Sequence, residues 1–332
     1  QEHVQSGDAV CAVEPVDGAH ETVGTGWTSP SSEGESGLKG EQVYAYFGKS
    51  RQGYFQAVAR MGKLKATMEV VESQVDQYRS TKDANAGSRT LYYNLNIKEQ
   101  YNIGVNKFEK LMSDYGLILR PVYTRIVTTK ASSRSKKYTN LVAGLKVNNI
   151  NQVIVGDLTY VYKDGQRYFV FSLFDLYSAM MVGIYGGERM RAIEGIRPLE
   201  QLINLRGIEA IKYCIHHTDG GSQYFSNRYM DLLDFVKMRI SVSGNCLDNA
   251  YAEQRNSMIK HHFLPLKRGR NEIEFNKGLA EIQYEYNTNR KQNRLGWKSP
   301  LEFENEISEQ KIRTEMQIFN YQTHLDNGFI KA

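Results

Sequence analysis

The chain has no run of eighteen apolar residues, and it opens on neither a basic nor an apolar stretch. The first absence argues against a membrane-spanning helix and the second against a secretory leader, so a cytoplasmic protein without a membrane partner is expected. Cysteine is scarce: Cys11, Cys214 and Cys246 are odd in number, widely spaced and outside any CxxC pair. Neither a disulfide framework nor a cysteine-ligated zinc site fits that usage, and reduced thiols are expected. No G-x-S-x-G elbow is present, so a serine hydrolase has no nucleophile here. The adjacent His216 and His217 invite a zinc reading, but neighbouring residues of a regular strand point to opposite faces and cannot meet at one ion.

What the chain does have is a length of 332 residues, enough for two domains with tails, and 41% hydrophobic residues. The formal charge of +5 hides an asymmetry. Residues 1–40 hold seven acidic residues and a single Lys39; the rest has 41 basic against 30 acidic, a balance of +11. A basic body suits an anionic partner, and double-stranded DNA is the first candidate.

Residues 1–40, ending in "GTGWTSPSSEGESGLKG", are rich in Gly, Ser, Glu and Thr without helical or strand period and read as a disordered tail. They begin without Met, which suits a fragment or the remainder of a longer product. Residues 41–128 turn helical and read as a helix-turn-helix DNA-binding module. "VYAYFGKSRQGYFQAVARM" gives a helix, a Gly48 stop, a Ser50 cap and a second helix. A second pair follows, with Asn106 and Glu109 at capping-box spacing and Phe108, Leu111, Met112 and Tyr115 on one face before Gly116. Residues 129–149, containing "TTKASSRSKKYTN", read as a basic linker.

From 150 to 306 the period changes to strands. "NQVIVGDLTYVYKDGQRYFVFSLFD" is two β-rich runs around Asp164-Gly165, a hairpin signal, and "AMMVGIYG" adds a third strand. A helix near 188–205, kinked or restarted at Pro198, is followed by alternating strands and helices. The pattern predicts an α/β fold, a mixed sheet of three antiparallel strands plus parallel ones flanked by helices. Residues 307–332 read as a C-terminal tail.

Three carboxylates stand out. Asp157 interrupts the apolar run "VIVGDLTYVY", where an unpaired buried carboxylate costs several kcal/mol and calls for a basic side chain or a metal ion; an Asp at a strand end or bulge is the plainer possibility. Asp219 follows an apolar strand in "YCIHHTDGGSQYFS", either as a turn former or projecting from the sheet edge where ligands of α/β sheets bind. Glu253, in "SGNCLDNAYAEQRNSMIK", shares a helix side with Ser257 and Lys260, opposite Ala252, Asn256, Ile259 and Phe263; a solvated face would look similar. Together they suit hard Mg²⁺ or Mn²⁺ ions, which take oxygen ligands. Two ions about 3.5–4 Å apart would activate a water or 3′-hydroxyl and stabilise the leaving oxygen of an in-line displacement.

The order of "GDLTYV", "HHTDGGSQYFS", "SGNCLDNAYAEQRNSMIK" and "YEYNTNRKQNRLGWKSPLEF" resembles the retroviral-integrase-like DDE core, and more narrowly the bacterial insertion-sequence transposases of the IS-three family, second reading frame. The carboxylates are 62 and 34 residues apart, the second interval close to that family's, and the likeness spans residues 44–305. The resemblance implies a ribonuclease-H-like fold, Asp157, Asp219 and Glu253 as catalytic metal ligands, and Lys260 placed to contact DNA. It further implies Mg²⁺-dependent cleavage and strand transfer at element ends, with Arg255, Lys267, Arg268 and Arg270 tracking phosphates. A homo-oligomer on DNA and an upstream-frame partner protein follow from the same likeness. The chain departs from the family at Ile154, often Trp, and at Gly220, often larger or charged. The rival reading is a non-catalytic DNA-binding regulator or decayed transposase on an integrase-like core.

Overall fold

The computed structural model describes residues 44, 48, 50–119, 137–243, 250–309 and 316–317. Residues 1–40, 120–136, 244–249 and most of 310–332 lie outside them, so the expectations of tails at either end are not addressed there. The chain divides into two units, Gln1–Ala66 and Thr67–Ala332. Helix α1, Arg51–Thr81, contributes residues to both.

In the first unit the Ser50 hydroxyl accepts a hydrogen bond from the Gly53 N–H at 3.1 Å, the cap expected from sequence, after Gly48 at φ +59°. Tyr44 packs against Tyr54 and Phe55, with ring centres 5.1 and 6.0 Å apart.

The second unit begins with Met68, Val71 and Val75 of α1, buried at helical spacing. Three short helices follow: α2 (Ser88–Asn94), α3 (Ile97–Tyr101) and α4 (Val105–Asp114). Phe108, Leu111 and Met112 are buried as the periodicity predicts, whereas Tyr115 is exposed. The capping box expected at Asn106 and Glu109 does not form: α4 starts earlier, at Val105 after Gly104, and Glu109 pairs with Arg89 at 2.9 Å instead. Gly116, at φ +69°, ends the helix.

These helices do not stand apart from the core. Asp83, buried, is hydrogen-bonded to His262 Nδ1 at 2.6 Å and ion-paired with Arg290; the Ala84 N–H donates to the His262 carbonyl at 2.8 Å; Tyr93 stacks on Trp297 at 4.2 Å. The sequence reading places a separate module at 41–128, while the structure puts 67–114 in one unit with the core and divides the chain inside α1. The end of the stretch read as a linker, from residue 137, lies among the described residues. Val142 and Val147 are core residues, Tyr138 stacks on Phe225, and Lys146–Val147 pairs antiparallel with Met316–Gln317, inside the stretch read as a tail.

The core is a five-stranded sheet. Strands β1 (Val153–Lys163), β2 (Gln166–Asp175) and β3 (Met181–Gly187) form an antiparallel meander, and β4 (Ile215–Thr218) and β5 (Arg239–Val242) add parallel to β1, in the order β3-β2-β1-β4-β5. The β1–β2 turn is made by Asp164 and Gly165, both at positive φ, as the Asp-Gly signal predicts. Alternation along β1 sends Val153, Val155 and Val161 to one apolar cluster and Ile154 to the other. The first cluster packs under helix α8 (Ala250–Met258), the π-helical turn Ile259–Phe263 and helix α9 (Glu272–Thr288). The second packs under α5 (Ala192–Arg206) and α7 (Asn227–Phe235), beyond the short α6 (Ile208–Ile211). Helix α5 runs unbroken through Pro198, whose backbone lies against Gly183 of β3, where a Cβ would collide with it. Helix α10 (Pro300–Ser308) opens on a Ser299/Glu302 capping box and is tied to α5 by a buried Arg206–Glu304 pair at 2.5 Å. This mixed sheet, helices on both faces, is the ribonuclease-H-like architecture expected. Among the described residues no helix is long and apolar enough to cross a membrane.

Candidate active site

Strand register sets the first two carboxylates. β1 and β4 pair in parallel up to Val155↔His217, and Asp157 and Asp219 each follow that last pair by two residues, near enough for the charge of Asp219 to act on Asp157. The 62-residue interval noted in the sequence is the same offset as this parallel register. Asp219 lies just past the end of β4, where Gly220 at φ +78° turns the chain and the Gly221 N–H donates to the Asp219 carboxylate at 3.0 Å. The left-handed backbone explains why glycine stands at position 220, where a larger residue would be strained.

Asp157 is buried. Its carboxylate accepts from Asn256 Nδ2 at 2.9 Å, and the Asn256 Oδ1 accepts from the Ser172 hydroxyl at 2.7 Å. Ser172 is the cross-strand partner of Asp157, so strand β2 and helix α8 meet through this one side chain. Asn256 is what the sequence reading missed. It sat on the apolar side of the helix beside Ala252, Ile259 and Phe263, and a polar residue on an apolar stripe was the signal.

Burial, and after it the charge of Asp219, pushes the Asp157 carboxyl up to about 7, with Glu253 adding a smaller push and the Asn256 hydrogen bond opposing. Burial raises Asp219. Glu253, on an exposed stretch of α8, is raised by burial and then by Asp219. The charge of Asp219 thus disfavours ionisation of both Asp157 and Glu253, a field that invites a cation. Among the described residues, though, no three His, Cys, Asp or Glu side chains are gathered as a metal-binding group. Asp157 and Asp219 are near each other; Glu253 stands at the rim and does not close a three-carboxylate cluster. The donor chemistry fits a hard divalent ion, and the closed cage is not formed.

Lys260, in the π-helical turn, is half-buried. Burial lowers its ammonium and the charge of Asp157 opposes that, while the Nζ lies 5.2 Å from the centre of the Tyr160 ring. The other expected cations divide. Arg255 is buried, its guanidinium 4.8 Å from the Tyr251 ring. Lys267 pairs with Glu281 at 2.9 Å, Arg270 pairs with Glu274 at 2.9 Å, and Arg268 is exposed. His216 and His217 do point apart, His216 Nε2 to the Tyr229 hydroxyl at 2.8 Å and His217 Nδ1 to the Ser241 hydroxyl at 2.9 Å. Burial pushes His216 down to about 3, so it is neutral. A cavity of about 480 Å³ lies elsewhere, between Lys82, Lys267 and Tyr284, and none of the carboxylates lines it.

Comparison with known proteins adds the following. Residues 148–245 match the family model described as Integrase core domain, a span that includes Asp157 and Asp219 and stops before Glu253. The chain is 33% identical over 156 residues to the insertion element IS600 uncharacterized 31 kDa protein of Shigella sonnei, covering 46% of this chain and 57% of that one. It is 30% identical over 210 residues to the transposase for insertion sequence element IS904 of Lactococcus lactis subsp. lactis, covering 60% of this chain and 79% of that one. Among solved structures, the HTLV-2 integrase catalytic core domain in complex with magnesium aligns with a TM-score of 0.38 and 16% identity, over 50% of this chain and 99% of that one.

Proposed function

The chain belongs to the insertion-sequence transposases that carry an integrase core domain, and from that premise we propose that it cuts DNA at the ends of its element and joins the freed 3′-hydroxyl to a second phosphodiester. The observation that carries this reading is Asp157: a buried carboxylate pushed up to about 7, within reach of the charge of Asp219, and hydrogen-bonded by the neutral Asn256. Its charge calls for a cation from outside the chain.

Asp157, Asp219 and Glu253 would hold Mg²⁺ or Mn²⁺, in the two-ion arrangement. Bound there, the metal would supply activation of the attacking oxygen and stabilisation of the leaving one. The protein's own groups do the rest. Asn256, held by Ser172, fixes the orientation of the Asp157 carboxylate. Lys260 presents an ammonium beside the same site. Lys267 and Arg270 sit in surface ion pairs that a phosphate can replace, and Arg268 is exposed. The exposed face of α4, with Asn106, Lys107 and Lys110, is the part of the helical segment offered to DNA. Joining two ends implies more than one copy on the DNA, and the reading needs no upstream-frame product.

The test is labelled element-end DNA with Mg²⁺ and the wild type, beside Asp157→Ala and Glu253→Ala. Nicking and joined products are expected from the wild type and a loss of at least 10²-fold from each variant. A wild type that binds the ends and yields no product, indistinguishable from both variants, would establish the regulator reading.

A further inference from the structure

Strand β1 outruns its parallel neighbour. Its pairing with β4 ends at Val155↔His217, while its pairing with β2 continues to Lys163↔Gln166. Beyond Asp157 the hairpin therefore projects from the sheet, and its even-numbered face leaves the helices behind: Leu158 is partly buried, Tyr160 is 58% exposed and Tyr162 is 71% exposed. The two tyrosines meet edge to face at 6.3 Å. Cross-strand from them are Phe169 and Arg167 respectively, and the Arg167 guanidinium lies 5.1 Å from the Phe169 ring. From the other side Lys260 reaches over Tyr160.

Two neighbouring tyrosines at these exposures contribute little to the core, and cations are laid beside them. They are the parts of a platform for unpaired nucleic acid, in which bases stack on rings and phosphates meet the cations. Tyr160 and Tyr162 lie about 10 and 17 Å along the strand from Asp157, on the opposite face of β1 by alternation. The edge of β1 has no β4 partner beyond Val155, so a strand whose phosphate is at the carboxylates can pass round that edge, where Lys260 lies over Tyr160, and reach the rings within a few nucleotides. The same Lys260 faces both the Asp157 charge and the Tyr160 ring, which makes platform and site continuous.

We propose that Tyr160 and Tyr162 form a stacking platform for unpaired bases of the DNA strand next to the scissile phosphate, with Lys260 and Arg167 holding its backbone. This rests on the DNA reading given above, and its sequence-tolerant chemistry suits frayed ends of any composition.

The experiment uses the full chain without divalent metal and a duplex carrying a short unpaired tail with 2-aminopurine. Wild type is expected to quench the probe and to bind the tailed duplex roughly tenfold more tightly than the blunt one. Tyr160→Ser/Tyr162→Ser is expected to lose the quenching and the tail preference while keeping its melting temperature and its blunt-duplex affinity; Tyr160→Phe/Tyr162→Phe is expected to retain both. Unquenched probe with wild type, or quenching equal in the Ser and wild-type chains, overturns the platform. Self-association that the Ser pair abolishes, with quenching unchanged, also overturns it and assigns the face to a second copy. Because no metal is present, quenching by a wild type that proves unable to cleave would leave the platform standing while the catalytic reading fell.

Discussion

At the scale of single residues, the chemistry turns on Asp157. In the unfolded chain its carboxyl would titrate near 3.9, and in the fold it is held up to about 7. The folded state therefore prefers the protonated form, so this residue's contribution is intact below about pH 4 and is lost as the pH rises through 7. Without metal, the ionised group costs the fold on the order of a few kcal/mol at pH 8. Asp157→Asn is accordingly expected to melt several degrees above the wild type at pH 8 in chelator and to converge with it near pH 4. Millimolar Mg²⁺ should raise the melting temperature of the wild type at pH 8 and leave the variant where it is. Thermal scans by circular dichroism check both, and equal curves at pH 8 would remove the buried charge from the account. Two of the three carboxylates were legible because each broke a local pattern, Asp157 an apolar strand and Asp219 a strand exit. Glu253 was legible only in company, since one exposed helix carboxylate resembles another. Asn256 was readable as a polar residue among Ala252, Ile259 and Phe263, but its partner Ser172 lies 84 residues away, and register across a hairpin is needed to bring them together.

Among elements, most local signals agree with the structure, the Asn106/Glu109 capping box excepted, and the tertiary contacts do not follow from local sequence. Asp164-Gly165 makes its turn because both positions need positive φ, and Gly116 ends α4 for the same reason. Pro198 sits within a continuous α5 because that helix packs its backbone on Gly183, a contact that outweighs the local disfavour. The docking of 83–97 on the π-helical turn was invisible, since it depends on Asp83 meeting His262 and Arg290. The His262 hydrogen bond and Arg290 hold the Asp83 carboxyl below its usual range against its burial. Asp83→Asn would leave the nearly buried Arg290 without its counter-charge, a change of about 3–5 kcal/mol for a buried pair. Since that turn directly follows α8, the variant is expected to lose amide hydrogen-exchange protection at Ala84, Ala86 and the 259–263 turn while strands β1 and β2 keep theirs. Uniform loss across the sheet, or none anywhere, would show that Asp83 does not act as the local fastener.

For the whole molecule, the relevant quantity is the distribution of charge between the ends and the body. Residues 41–332 carry +11 while the first forty carry seven acidic residues and one lysine. Nucleic-acid binding by phosphate contacts releases counterions, so affinity follows the cations available to DNA and falls steeply with salt. An acidic segment on the same chain lowers the net positive charge and so weakens the long-range attraction between chain and duplex. A chain lacking residues 1–40 is therefore expected to bind blunt duplex DNA more tightly than the full chain, by roughly threefold or more at 0.05 M salt. The gap should close as salt approaches 0.5 M, where the Debye length drops to about 4 Å and charges that far from the contact no longer count. Fluorescence anisotropy across a salt series separates this from a direct role of the segment in DNA contact, because direct contact predicts the opposite sign: weaker binding after removal, at every salt concentration.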